Sequence, residues 1–241
     1  MTASKQIENR ISGMEESRVF TIEDLGLPPE WWENVRVKLG RMVKAGRIAK
    51  AGRGKYFKPK ASLFGNIGPS PYEIVKDLMV DKGKLSGYIT GYTVWNQMGL
   101  TSQVSNVIVI GTSRRRDRLK RGRNEVRFIM QPNRITPESV PLLQILDCLK
   151  FIKQIPDTTA DTSVAILRRM ISGLDEQKLS LLVKLARKYP PRVRVLLGAI
   201  LEAAGNHNFS SELRKTLNPT TKYSIGLTEN ANIDLNNWNI V

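Results

Sequence analysis

The chain has 241 residues, which suggests one or two domains, and 41% hydrophobic and 25% charged residues, as in ordinary globular proteins. Its single cysteine, Cys148, excludes an internal disulfide and favours a reducing cytoplasm, while no apolar run is long enough to span a bilayer and the polar N-terminus predicts no signal peptide. The formal net charge of +16 points to an anionic partner.

Residues 1–62 predict a small DNA-binding domain. A first helix over residues 5–14, a short strand at 18–21 and a brief helix ending at Gly26 are followed by a proline turn. The strongest helix of this region covers residues 31–45, and a basic hairpin follows it over residues 47–60. This order of elements is that of a winged helix-turn-helix.

The helix over residues 31–45 is the candidate recognition helix. Val35, Leu39 and Met42 recur at helical spacing and define a core face, and the opposite face is polar and basic. A helix that enters the major groove needs such a face, although a basic helix on its own is more often simply solvated. The side chains predicted to contact DNA from this helix are Asn34, Arg36, Lys38, Arg41 and Lys44.

The hairpin that follows is the candidate wing. Arg53 lies at its tip between Gly52 and Gly54, and Lys55 lies on its second strand, so both are predicted to contact the DNA backbone or the minor groove. An ordinary charged hairpin with lysines on its edges is the alternative. Residues 31–60 carry ten basic side chains and one acid, Glu33, and this excess favours DNA as the ligand.

Residues 62–70 contain two glycines and a proline and predict a linker to a second domain over residues 70–241. Helices are predicted over 71–80 and 90–98, and strands over 106–110 and 125–130. Beyond Pro137 the predicted elements are helical, with a possible sub-boundary near residue 135 and an irregular tail from Asn218. The predicted helices there cover residues 140–155, 162–173, 175–189 and 191–204. The fold class is therefore α+β and helix-rich, with an N-terminal winged helix-turn-helix and a larger C-terminal domain that passes from α/β to helical.

A second basic segment lies between the two predicted strands. Residues 111–134 contain nine basic side chains and two acids, in an exposed hairpin tip or connection. Such a segment suits DNA phosphate, RNA or an acidic partner, and a solvated loop is the alternative. The residues of this patch are Arg114, Arg115, Arg116, Arg118, Lys120, Arg121 and Arg123.

The sequence offers little for catalysis. The one histidine, His207, is predicted in a loop, and Cys148 in an apolar helix is predicted to be a buried structural thiol. Gly111 follows a strand, as in a nucleotidyltransferase, but arginines replace the paired acids that would hold Mg²⁺, so it is predicted to form a turn. We expect no enzymatic activity, no metal and no cofactor.

Several stretches resemble AbiEi-type antitoxins, the antitoxin half of type IV toxin–antitoxin pairs linked to abortive phage infection. Residues 39–48 (Leu-Gly-Arg-Met-Val-Lys-Ala-Gly-Arg-Ile) and 52–57 (Gly-Arg-Gly-Lys-Tyr-Phe) are similar to the family's helix-and-wing pattern, with Gly40 in the helix and Met42 in place of leucine as departures. Residues 90–104 resemble part of its second domain, and residues 189–194 and 217–223 resemble its tail region.

This resemblance implies that the protein represses its own operon by binding promoter repeats, and that its C-terminal domain counteracts a nucleotidyltransferase-like toxin without a stable complex being required. It implies double-stranded DNA and a cognate toxin as partners, while the cysteine usage and the apolar run lengths predict a cytoplasmic protein and no membrane. The alternatives are a plain winged-helix transcription factor with an unknown effector domain and a nucleic-acid-processing enzyme.

Overall fold

The computed structural model describes residues 3–63 and 65–241, and the protein has the helix-rich α+β fold expected from its sequence. The chain forms two compact units. The N-terminal unit contains the residues up to Leu78 together with Arg118–Val126. The C-terminal unit contains Met79–Asp117 and Arg127–Val241.

The N-terminal unit contains short helices and two-stranded hairpins. Its elements are α1 (Ala3–Ser12), α2 (Trp32–Lys44), β1 (Ala49–Gly52), β2 (Lys55–Phe57), β3 (Lys60–Ser62), β4 (Gly65–Ile67) and α3 (Pro71–Val75), with 3₁₀ turns at Glu23–Leu25, Pro29–Trp31 and Lys76–Leu78. The predicted helix over 31–45 is confirmed to within one residue at each end. It ends as expected at Gly46, whose φ of 70° is readily adopted only by glycine.

A single core holds α1, α2 and the segment between them. Ile7 and Ile11 of α1, one turn apart, pack with Val35 and Leu39 of α2, and all four are buried. The strand predicted at 18–21 is reduced to one bridge, in which Phe20 pairs with Tyr56 of β2. This bridge attaches the segment before α2 to the hairpin after it.

The N-terminal unit extends further along the chain than predicted. The expected linker at 62–70 includes the end of β3 and the whole of β4, which pair as a small exposed hairpin. The Val19 amide donates to Oε2 of Glu73 at 2.8 Å, which ties α3 to the preceding segment. This hydrogen bond explains why α3 belongs to the N-terminal unit, whose first segment ends at Leu78 and not near residue 62.

The largest sheet in the described part of the chain has four strands in the order β7-β8-β10-β9. The elements from Met79 to Met130 are β5 (Val80–Asp81), β6 (Lys84–Leu85), β7 (Gly87–Thr90), α4 (Tyr92–Gln97), β8 (Val107–Thr112), β9 (Leu119–Arg121) and β10 (Asn124–Met130). Gly111 was predicted to form a turn, and this is wrong: it lies within β8, opposite Tyr88 of β7. A Cβ at Gly111 would lie 2.5 Å from the Tyr88 ring, so glycine is required here for close packing rather than for a turn.

Helices make up most of the rest of the C-terminal unit. They are α5 (Val140–Lys150), α6 (Ala160–Ser172), α7 (Glu176–Ala186), α8 (Pro191–Ala203) and α9 (His207–Arg214), with 3₁₀ turns at Ile152–Gln154 and Glu229–Ala231. Helix α9 was not predicted, and His207 is its first residue rather than part of a loop. Cys148 is buried in α5, as expected of a structural thiol, and burial raises its pKa.

Strand β7 and the helices of the C-terminal unit share one hydrophobic core. Tyr88 and Trp95 are buried in the same cluster as Leu146 of α5 and Leu197 of α8, so the possible sub-boundary near residue 135 does not divide this unit. The tail beyond Asn218 has little regular structure, as predicted, yet Trp238 is buried in the same core. None of the helices in the described part of the chain combines the length and apolarity needed to cross a bilayer.

Candidate nucleic-acid interface

Helix α2 presents an exposed stripe of side chains. Asn34, Val37, Arg41 and Lys44 are separated by three, four and three residues, so they lie along one face, and all four are exposed. Val37 is 48% exposed. The described residues include no acidic side chain that forms an ion pair with Arg41 or Lys44. The stripe therefore offers one amide, two cations and one apolar side chain to a ligand.

The two other basic residues predicted on α2 form ion pairs within the unit. Arg36 lies 3.0 Å from Oε2 of Glu33, but both side chains are exposed, so the pair is weak and easily exchanged for another anion. Lys38 is turned towards α1 and its Nζ lies 2.7 Å from Oε1 of Glu8. Hydrogen bonding from Lys38, its charge, and a further hydrogen bond from Arg47 hold the pKa of Glu8 below its usual value. Lys38 therefore fits a role in joining α1 to α2 better than the predicted role in the major groove.

The first basic hairpin comprises β1 and β2, residues 49–57. Arg53 is exposed at its tip, where Gly54 has a φ of 68° that closes the tight turn. Lys50 is also exposed, on β1 opposite Tyr56. Lys55 is different: its side chain is 17% exposed and its Nζ lies 3.2 Å from Oδ2 of Asp77. Arg53 thus occupies the predicted place at the tip, whereas Lys55 is engaged inside the unit.

The second basic hairpin comprises Arg118, β9 and the start of β10, residues 118–126, and it belongs to the N-terminal unit. Arg121, with a side chain 13% exposed, donates to both carboxylate oxygens of Asp77 at 3.1 and 2.8 Å. Arg121 also donates to the carbonyl of Ile74 at 3.4 Å. A bidentate arginine–carboxylate pair is among the stronger polar contacts in proteins, so Arg121 anchors this hairpin to the end of α3.

Asp77 therefore receives both Arg121 and Lys55. Burial acts to raise its pKa, but the hydrogen bonds and charges of Arg121 and then Lys55 outweigh burial, and the net pKa is lowered. Asp77 stays ionised and binds side chains from both basic hairpins. No local pattern in the sequence indicates that Lys55, Asp77 and Arg121 come together, because they are 22 to 66 positions apart along the chain.

The predicted basic patch at 114–123 is divided between the two units. Arg114 and Arg116 belong to the C-terminal unit, where Nη1 of Arg114 lies 3.5 Å from Asp81 and Arg116 stacks over the Phe128 ring at 5.7 Å. Arg115 is exposed in the same loop. Arg118, Lys120 and Arg123 are exposed on the second basic hairpin. One run in the sequence thus corresponds to two separate groups of cations.

A buried polar network, not anticipated from the sequence, lies in the C-terminal unit. The hydroxyls of Tyr88 and Tyr189 donate to the two carboxylate oxygens of Asp147 at 2.7 and 2.8 Å. Nε2 of Gln131 donates to both hydroxyls, at 2.8 and 2.7 Å. Burial raises the pKa of Asp147, although the two tyrosine hydrogen bonds act in the opposite direction. Because every member is enclosed, the network is suited to fixing the sheet against α5 and the residues that follow α7 rather than to binding a ligand.

Among the described residues, no group of three or more histidine, cysteine, aspartate or glutamate side chains is arranged to hold a metal ion. His207 is exposed at the start of α9. The buried thiol of Cys148 lies 3.6 Å from the sulfur of Met98. A pKa above the ordinary value keeps this thiol protonated.

No protein-family model and no curated protein matches this chain. Among solved structures, that of the RV2827C protein from Mycobacterium tuberculosis is similar, with a TM-score of 0.62 and 11% sequence identity. The match covers 92% of this chain and 83% of that chain. At this level of identity the likeness establishes a shared fold and nothing about activity.

Proposed function

We propose that this protein is a DNA-binding transcriptional repressor that acts in the cytoplasm through its N-terminal unit. The observation that carries the proposal is the exposed stripe of α2 together with the first basic hairpin. A helix whose back packs on a small core and whose front is polar and basic, followed by a hairpin with a basic tip, is the arrangement of a winged helix-turn-helix.

Three residues of the stripe have a chemistry that suits the major groove. The Asn34 amide can pair with adenine, Arg41 can pair with guanine, and Val37 can contact a thymine methyl group. Lys44 and Arg36 suit the neighbouring phosphates, since the exposed pair of Arg36 with Glu33 costs little to break. Arg53 at the hairpin tip suits the minor groove or the backbone.

The resemblance to AbiEi-type antitoxins extends the proposal to a biological role. In this role the protein binds repeats in its own promoter and counteracts a nucleotidyltransferase-like toxin encoded beside it. The helix-and-wing part of the resemblance, residues 39–48 and 52–57, falls on the end of α2 and on the first basic hairpin. The residues that resemble the family's second domain fall on α4 and its flanks.

The test is fluorescence anisotropy of the full chain on the duplex immediately upstream of its own gene and on a scrambled duplex of equal length, over a salt series. We expect promoter-specific binding by the wild type. R41A/K44A should lose roughly tenfold or more in affinity, with a salt slope reduced by about one for each phosphate contact removed.

A matched control removes two exposed lysines, Lys184 and Lys222, from the C-terminal unit as K184A/K222A. This variant has the same net charge as R41A/K44A and should bind like the wild type. Equal affinity of the wild type for both duplexes, or unchanged binding by R41A/K44A, would reject α2 as a recognition helix.

A further inference from the structure

We propose that the second basic hairpin is an additional DNA-binding arm that contacts phosphates of the same duplex as α2 and the first basic hairpin. Its contacting residues are Arg118, Lys120 and Arg123. The proposal rests on the DNA-binding function proposed above and adds a surface that a winged helix-turn-helix does not contain. Its partner is double-stranded DNA.

The turns of the two basic hairpins lie side by side. A Cβ at Gly52 would lie 3.4 Å from Cδ of Arg121, and a Cβ at Gly122 would lie 3.4 Å from the carbonyl oxygen of Ala51. Gly52 directly precedes Arg53, and Gly122 directly precedes Arg123. The two exposed arginines therefore belong to adjacent turns of one unit, so a duplex that meets Arg53 comes close to Arg123 as well.

Asp77 holds the two hairpins in this arrangement. It binds Lys55 of the first and Arg121 of the second, and both cations are largely buried there. Successive side chains of a strand point to opposite faces, so Arg121, turned inward, leaves Lys120 turned outward. Lys120 and Arg123 are exposed, as is Arg118 just before β9. The arm thus uses one cation as an anchor and presents three others to solvent.

The chemistry of the arm favours a nucleic acid over an acidic protein. Its two apolar residues are turned away from solvent, since Val126 is buried and Leu119 is half-buried. A protein interface needs apolar or aromatic anchors at its centre, and this hairpin exposes none. Phosphate binding needs only accessible cations on a rigid support. Because the turn of the first basic hairpin lies beside this arm, we expect those phosphates to belong to the same duplex that α2 binds.

The experiment compares R118A/K120A/R123A in the full chain with a matched triple, K184A/K215A/K222A, which removes three exposed lysines from the C-terminal unit. Both are measured on the upstream duplex, the scrambled duplex and a single-stranded RNA of the same length. The arm variant should bind both duplexes about tenfold or more weakly and lower the salt slope by up to about three. The preference for the upstream duplex should be unchanged, since phosphate contacts carry no sequence information.

One outcome is that the arm variant binds with the affinity and salt slope of the wild type while R41A/K44A binds more weakly. That result would overturn the proposed arm and leave the proposed function intact. Loss of RNA binding with duplex binding unchanged would also overturn it and assign the hairpin to RNA. Unchanged binding by R41A/K44A would reject the proposed function itself. Because all three side chains are exposed, the variant should keep the wild-type melting temperature, and R118Q/K120Q/R123Q provides a second version with longer side chains.

Discussion

At the scale of single residues, Asp147 is a buried carboxyl group held by hydrogen bonds in the core of the C-terminal unit. It is a carboxylate enclosed in an apolar core, where the described contacts supply two tyrosine hydroxyls and no salt bridge. Removing an acceptor from such a network leaves buried donors without partners, at about 1–3 kcal/mol each. Asp147 therefore stabilises the packing of Tyr88 and Tyr189 by accepting both of their hydrogen bonds, and losing either bond destabilises the folded protein.

The raised pKa of Asp147 predicts a pH dependence of stability. The folded state holds the carboxyl proton of Asp147 more tightly than the unfolded state does. The free energy of unfolding therefore falls as the pH rises from the ordinary pKa of aspartate, about 3.9, through the higher pKa of Asp147 in the folded protein. D147N has no such titration. We expect the stability of the wild type relative to D147N to fall as the pH rises from about 4. Urea denaturation over a pH series measures this, and a difference that is constant with pH would contradict it.

At the scale of elements, helix α8 and the C-terminal tail depend on one glycine. The Trp238 ring packs directly on Gly198, its Nε1 donates to Glu202, and Arg214 stacks over the ring at 4.2 Å. A Cβ at Gly198 would overlap the indole ring. Gly198 is therefore a packing requirement that lets a segment with little regular structure join the core.

Two glycine-to-alanine substitutions in helices should have opposite effects. Alanine is the better helix former by about 1 kcal/mol, and a Cβ at Gly40 of α2 would meet no atom within 4 Å, so G40A should stabilise its helix. G198A should instead destabilise by about 1–3 kcal/mol because the Trp238 ring must move. Hydrogen exchange measured separately for α2 and α8 distinguishes the two. If G40A and G198A both increased stability, helix propensity, and not the contact with Trp238, would determine the effect of a substitution at Gly198.

At the scale of the whole molecule, the two compact units suit the two halves of the proposed role. The exposed stripe and both basic hairpins belong to the N-terminal unit. The C-terminal unit has its own core, which includes the tail. We therefore expect the proposed DNA binding and the proposed toxin neutralisation to be separable by mutation.

Co-expression with the neighbouring gene product tests this separation. If that product is toxic, the wild type should restore growth, and R41A/K44A should restore it as well while failing to repress a promoter reporter. The control K184A/K222A should do both. Failure of R41A/K44A to restore growth at equal protein levels would mean that DNA binding is part of neutralisation. A neighbouring product without toxicity would favour a plain transcription factor.

Elements whose signals are local could be predicted from the amino-acid sequence. The apolar spacing of α2, the stop at Gly46 and the glycines around Arg53 predict the helix, its end and the first basic hairpin because each depends on residues only a few positions apart. The α+β class and the helical C-terminal half follow from the same periodicity. The excess of positive charge also identifies both basic segments without any coordinates.

Contacts between distant segments determine which charges remain available and which segments belong together. Lys38, Lys55 and Arg121 look like ligand-binding residues in the sequence, but their partners Glu8 and Asp77 lie 22 to 44 positions away and are brought to them by folding. The assignment of Arg118–Val126 to the N-terminal unit and the packing of Trp238 on Gly198 have the same origin. Local spacing specifies helices and turns, whereas ion pairs and close packing between distant segments exist only once the chain has collapsed around its cores.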